Sequence, residues 1–188
     1  AMANEDAPVM AEAGKVDWAA HANDISALIY DQLAFDDAIK VAVEFALNSE
    51  DTLVVITTDH GNSNPALIYG KKADEKFQKI SKFKHSNDWI LNGITPNYSK
   101  QQVIDRIKEA TTIEISTEEA EDLLKYYGGL SEGGIYNYKK LPYKALSELI
   151  GQQTSTGFAA MEHSADHVEL AMFGKGKEHL PAFIQNNE

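Results

Sequence analysis

At 188 residues the chain is long enough to form one domain with a real core. Its 29 acidic residues against 17 basic ones give a net charge of −12, which disfavours nonspecific binding to nucleic acid or to an anionic membrane. With no cysteine it has neither disulfides nor thiolate metal ligands, and no apolar run is long enough to span a membrane. In chain order, Pro8–Ala13 is a short apolar segment that reads as a strand. Asp24–Asn48 is helical in pattern, with Ile25, Leu28, Ile29 and Leu33 on one face. Phe35, Ile39, Val43, Phe45 and Ala46 continue the run, and a break is expected near Ala34–Asp36. Leu53–Thr58 reads as a buried strand stopped by Gly61 and Asn62. Running parallel to the first strand, it would complete a right-handed βαβ crossover.

The stretch between His60 and His163 is far longer than a loop needs. Lys71, Lys72, Lys76, Lys79, Lys82 and Lys84 make its start locally basic, and they read as a solvated helix face before a phosphate-attracting patch. Ser99 can cap a helix over Lys100–Ala110, with Val103, Ile104 and Ile107 as its apolar stripe. Ser116-Thr117-Glu118-Glu119 is a capping box, opening a helix that buries Leu123, Leu124 and Tyr127 and stops at Gly128-Gly129. Pro142 opens a third helix, with Leu146, Leu149 and Ile150 inward, and Val168–Phe173 reads as a strand near the same sheet. The chain thus divides into a βαβ unit over 1–65, a largely helical insert over 66–152 and a closing strand over 153–188.

Five residues carry the functional signal: Asp17 and His21, Asp59 and His60, and His163. Asp17 and His21 are four apart, so both leave one face if that segment is helical. Asp59 and His60 end a strand, and the carboxyl ends of strands in α/β sheets are where ligands bind. A mixed Asp/His set suits zinc, which accepts imidazole nitrogen and carboxylate oxygen alike. Taken singly each has an ordinary explanation, Asp17 as a helix cap and Asp59-His60 as a turn. The flanking residues decide the matter.

Those flanks resemble the alkaline phosphatases. Glu12-Ala13-Gly14-Lys15-Val16-Asp17-Trp18-Ala19-Ala20-His21-Ala22-Asn23-Asp24 is similar to that family's "E-G-x-x-I-D-x-x-x-H-A-N-D" block. DTLVVITTDH looks like the strand leading to its Asp-His pair, and HSADHVELAMFG resembles its late histidine block. The likeness covers roughly residues 8–65 and 155–183. It implies an α/β fold, part of an alkaline-phosphatase-like parallel-sheet sandwich with helices on both faces and a largely helical insert. That insert would be a lid or crown over the site, or a structural elaboration.

Carried over by position, the resemblance implies that Asp17, His21 and His163 bind a first zinc. Asp59 and His60 would supply part of a second zinc site, and Glu12 would be a magnesium ligand. The serine nucleophile that forms a phosphoserine intermediate lies upstream of the Glu12 block in this family, as do the phosphate-clamping arginine and a further shared aspartate. The chain is therefore expected to be the C-terminal portion of a phosphate monoesterase, inactive alone, partnered by the missing upstream half and prone to homo-oligomerise. Family members are usually periplasmic or secreted, although the chain itself shows no address. Trp18 stands where many members have Lys or His and reads as a packing residue beside the site. His167 stands where an acidic residue is usual and reads as a surface histidine. Two other readings stay open: a cofactor-independent phosphoglycerate mutase, whose "T-A-D-H-G-N" resembles Thr57–Asn62, and a non-catalytic metal-binding domain.

Overall fold

The computed structural model describes residues 8–130, 138–181 and 183–185. It opens with helix α1 (Gly14–His21) and helix α2 (Ile25–Leu47), followed by strand β1 (Leu53–Thr57). Two short strands, β2 (Gly61–Asn62) and β3 (Pro65–Leu67), lead into a helical unit made of α3 (Ala73–Phe77), α4 (Asn87–Asn92), α5 (Lys100–Thr111), α6 (Thr117–Leu124) and α7 (Tyr143–Thr154). The chain returns through β4 (Thr156–Phe158), β5 (His163–Ser164) and β6 (Leu170–Gly174). The three strands entering the helical unit pair antiparallel with the three leaving it: β1 with β6, β2 with β5 and β3 with β4. The β3–β4 ladder is therefore a neck at which the helical unit leaves and rejoins the rest of the chain.

The core sits in the helical unit. Ile90, Leu91, Val103, Ile107, Leu123 and Leu146 are fully or almost fully buried there, with Ile25 of α2 joining the same cluster. The packing follows from helical spacing: Val103 and Ile107 are four residues apart on α5, as are Leu146 and Ile150 on α7. Both expected caps form. Ser99 with Gln102 and Ser116 with Glu119 make reciprocal capping boxes, each cap contributing about 1 kcal/mol. Tyr127 is buried whole and donates its hydroxyl to Leu91 O at 2.7 Å, so a large apolar ring is removed from water without orphaning its polar tip.

Several sequence expectations need correction. Pro8–Ala13 forms no strand, so no βαβ crossover closes among the described residues, and the neighbour of β1 is antiparallel. With one strand beside it and α2 packed on one face, β1 is not buried: Leu53 is 44% and Val55 49% exposed. Helix α2 runs without a break through Ala34–Asp36, because no Gly or Pro interrupts it and both Asp36 and Asp37 face solvent. Leu33 lies exposed, while Phe35, Ile39, Val43 and Ala46 form the partly or fully buried line of that helix. Lys71, Lys72, Lys82 and Lys84 are exposed, and Lys76 and Lys79 half-buried. Among the described residues no helix is long and apolar enough to cross a membrane.

Candidate metal centre

The expected one-turn spacing forms. Asp17 and His21 sit on α1, and His21 Nε2 lies 3.7 Å from Asp17 Oδ1. His21 Nδ1 lies 2.6 Å from the carbonyl oxygen of Met161, so Nε2 is the nitrogen left toward Asp17. Asp17 Oδ1 accepts the side-chain amide of Asn62 at 2.6 Å. His163 stands opposite Asn62 in the β2–β5 ladder, which brings the late histidine beside the early pair. One donor atom from each of Asp17, His21 and His163 lies within 4.8 Å of the others, an arrangement that could hold a metal ion.

The meeting of these segments is enforced by backbone contacts around them. Asn23, in the left-handed region at φ 45°, donates its side-chain amide to Ala20 O at 3.1 Å and to Ala160 O at 2.8 Å. Buried Ser63 donates its backbone N–H to Glu162 O at 3.0 Å, and its carbonyl accepts from Ala159 at 3.0 Å. A Cβ at Gly61 would meet Ser164 Oγ across the ladder, so that hydroxyl would have to turn aside. A site assembled from residues far apart in sequence is thus tied down by polar groups that otherwise have no reason to converge.

The remaining candidates fall at different distances from this group. His60 stacks on His163 with ring centroids 3.6 Å apart, and its Nε2 lies 3.4 Å from Asp59 Oδ2. Asp59 and His60 therefore form a pair alongside the three-donor group without joining it. Glu12 is exposed just ahead of α1 and is not a member of the group. Trp18 does not pack beside the site: it is 70% exposed on the outer side of α1. His167 lies at the surface, edge-on to Phe183 at 5.6 Å. Asn62, which in the sequence reads only as a strand stop, orients Asp17 and faces His163. Its place directly after Asp59-His60-Gly61 was the available signal.

The chain is similar to known proteins in both sequence and fold. The family model "Alkaline phosphatase" matches residues 8–188. Alkaline phosphatase 4 of Bacillus subtilis is 25% identical over 182 residues, covering 96% of this chain and 37% of the relative. The repressible alkaline phosphatase of Saccharomyces cerevisiae is 22% identical over 201 residues, covering 95% of this chain and 33% of the relative. The chain thus spans about a third of the length of these curated relatives. Among solved structures, Thermus thermophilus alkaline phosphatase superposes with a TM-score of 0.74 at 21% identity, covering 88% of this chain and 38% of that one. A cold-active alkaline phosphatase from Shewanella sp. gives a TM-score of 0.63 at 19% identity, with coverages of 89% and 39%. At these identities the likeness is one of fold, and it includes the α/β class expected from the sequence. The match over residues 8–188 settles the relationship: the chain belongs to the alkaline phosphatase family.

Proposed function

We propose that this chain supplies the metal-binding part of a phosphate monoesterase centre. The observation that supports the reading is the meeting of Asp17, His21 and His163 from opposite ends of the sequence. The donor set suits zinc. A tetrahedral zinc with ligand bonds of 2.0–2.2 Å separates its ligand atoms by about 3.4 Å, close to the 3.7 Å between His21 Nε2 and Asp17 Oδ1. The contact of His21 Nδ1 with Met161 O fits the rule that a ligating imidazole has its other nitrogen engaged by a neighbour. Zinc held here supplies Lewis acidity and a water of lowered pKa. The residues of the chain position that ion: Asn62 fixes the Asp17 carboxylate, Met161 O fixes the His21 ring, and the His60 stack limits rotation of His163. Asp59 and His60 are read as part of a second zinc site, and Glu12 as a magnesium ligand, both needing donors from elsewhere.

The nucleophile belongs to the upstream portion of the enzyme, which we infer packs against the open side of α2 and β1. Exposure of Val41, Phe45, Leu53 and Val55 on adjacent elements supports that reading. Self-association of the isolated chain through the same face is its corollary, and family likeness extends the reading to a periplasmic or secreted enzyme. The helical unit on its two-strand neck is read as a cover for the centre. The test is hydrolysis of a chromogenic phosphate ester in the presence of zinc and magnesium. The 188-residue chain alone should give no turnover, and the polypeptide extended by its upstream portion should give turnover that His163→Ala lowers by about ten- to a hundredfold or more. Turnover by the chain alone, abolished by one serine substitution, would overturn the reading.

A further inference from the structure

Ser63, directly after Asn62, is buried with φ at 55°, in the left-handed region, and Asn64 follows it there at φ 43°. Asparagine visits that region readily because its short amide bonds locally, whereas serine is an uncommon occupant and glycine adopts it at no steric cost. Backbone geometry alone therefore favours glycine at position 63. What serine adds is a hydroxyl, and Ser63 Oγ donates to Asn62 Oδ1 at 2.8 Å.

The hydrogen bonds from Ser63 to Asp17 run in one direction. An ionised carboxylate only accepts, so Asp17 Oδ1 takes a hydrogen from Asn62 Nδ2 at 2.6 Å, which leaves Asn62 Oδ1 as an acceptor. Ser63 fills that acceptor. A donor on the amide oxygen polarises the amide and strengthens its N–H toward the carboxylate. It also fixes the Asn62 side chain from its second end. The backbone of Ser63 meanwhile grips the segment that serves the two histidines. Its N–H donates to Glu162 O at 3.0 Å, and its carbonyl accepts from Ala159 N at 3.0 Å and Ala160 N at 3.3 Å. Glu162 stands between Met161, whose carbonyl oxygen lies 2.6 Å from His21 Nδ1, and His163.

We propose that Ser63 is a positioning residue of the centre: its hydroxyl holds the Asn62 amide, which in turn holds the Asp17 carboxylate toward a metal ion. The left-handed serine is retained for that hydroxyl, at a position where glycine would fit the backbone better. The role rests on the metal-binding reading of Asp17, His21 and His163, whereas the Ser63–Asn62–Asp17 relay exists in the metal-free chain and is testable there.

The experiment introduces Ser63→Gly into the wild type and into Asn62→Ala, and measures zinc affinity by calorimetric titration. Glycine removes the hydroxyl but suits the left-handed backbone, so the urea midpoint should change little. Zinc affinity should nevertheless fall about three- to tenfold in the wild-type background, the effect of one hydrogen bond. In the Asn62→Ala background, where the relay is already cut, the same change should alter it less than about twofold. In the metal-free chain, nuclear magnetic resonance should find the Asn62 side-chain amide protons exchanging with water faster in Ser63→Gly than in the wild type. Undiminished zinc affinity in Ser63→Gly, or an equal loss in both backgrounds, would overturn the proposal, because Ser63 would then act through its backbone alone. Faster Asn62 exchange in Ser63→Gly, in a chain whose wild type takes up no zinc, would uphold the relay and overturn the metal-binding reading instead.

Discussion

Asn62 donates to Asp17 Oδ1 at 2.6 Å while standing opposite His163 in the β2–β5 ladder, so one side chain orients one donor and its backbone places another. Asn62→Ala leaves all three donors present but frees the Asp17 carboxylate. Zinc affinity should fall by about ten- to a hundredfold, the usual effect of losing a group that orients a ligand. Calorimetric titration measures it. An affinity equal to that of the wild type would mean that Asp17 is held in place by something else.

Asp24 ties the two parts of the fold together. Its Oδ1 accepts Ala27 N at 3.0 Å as the cap of α2, and its Oδ2 accepts Asn87 N at 2.6 Å in the helical unit. Burial raises this carboxyl above its ordinary value, outweighing the backbone donors Ala27, Asn87 and Ser26, which lower it. A folded value above the unfolded one means that the folded state holds the proton more tightly. The stabilising contribution is complete below the unfolded value near ~3.9 and is lost as pH rises through the folded value. Asp24→Asn removes that slope. Urea midpoints of wild type and variant, compared from pH 4 to 7, should diverge with the wild type losing relative stability as pH rises. Parallel profiles would contradict the assignment. Asp24→Ala should cost more, about 1 kcal/mol for the lost cap and about 1–3 more for the buried N–H of Asn87 left unpaired.

Gly151 offers a test of packing against propensity. In an exposed helix interior Gly→Ala gains about 1 kcal/mol. Here a Cβ would run into the backbone oxygen of Thr156, so α7 and β4 must separate. Gly151→Ala should lower stability by about 1–3 kcal/mol, read as a reduced denaturation midpoint. A stabilised variant would mean that the helix and the strand part easily.

Phe45 is 67% exposed and Val41 69% on α2, and Leu53 and Val55 are half-exposed on β1, a strand with a single paired neighbour. An apolar face and an open strand edge together favour association. The charge of −12 does not protect a contact surface, because at physiological salt it is screened beyond roughly 8 Å. Sedimentation should find the isolated chain oligomeric, and Phe45→Glu/Val55→Glu should shift it to monomer. A wild-type monomer with slowly exchanging amides over residues 53–57 would contradict this expectation.

Local signals were readable in the sequence wherever physics is local. The capping boxes at Ser99 and Ser116, the stripe Val103/Ile107 and the one-turn spacing of Asp17 and His21 all form as read. What the pattern could not yield was pairing across long separations. Leu53-Val54-Val55-Ile56 reads as a buried parallel strand, because apolar content reports what a strand is able to bury, not which neighbour it finds. Its partner here is the antiparallel β6. Asn62 escaped notice for the same reason, since its significance depends on Asp17 and His163, which the sequence holds far apart. Trp18, read as packing beside the site, faces solvent because the buried side of α1 is made by Ala19 and Ala20.

The most direct test of the metal centre is X-ray absorption spectroscopy of the chain with one equivalent of zinc, on wild type and His163→Ala. The wild type should show two imidazole nitrogens and a carboxylate oxygen at about 2.0–2.2 Å, and the variant should lose one imidazole. An unchanged zinc environment in His163→Ala would contradict that expectation, because the late histidine would then play no part in the centre.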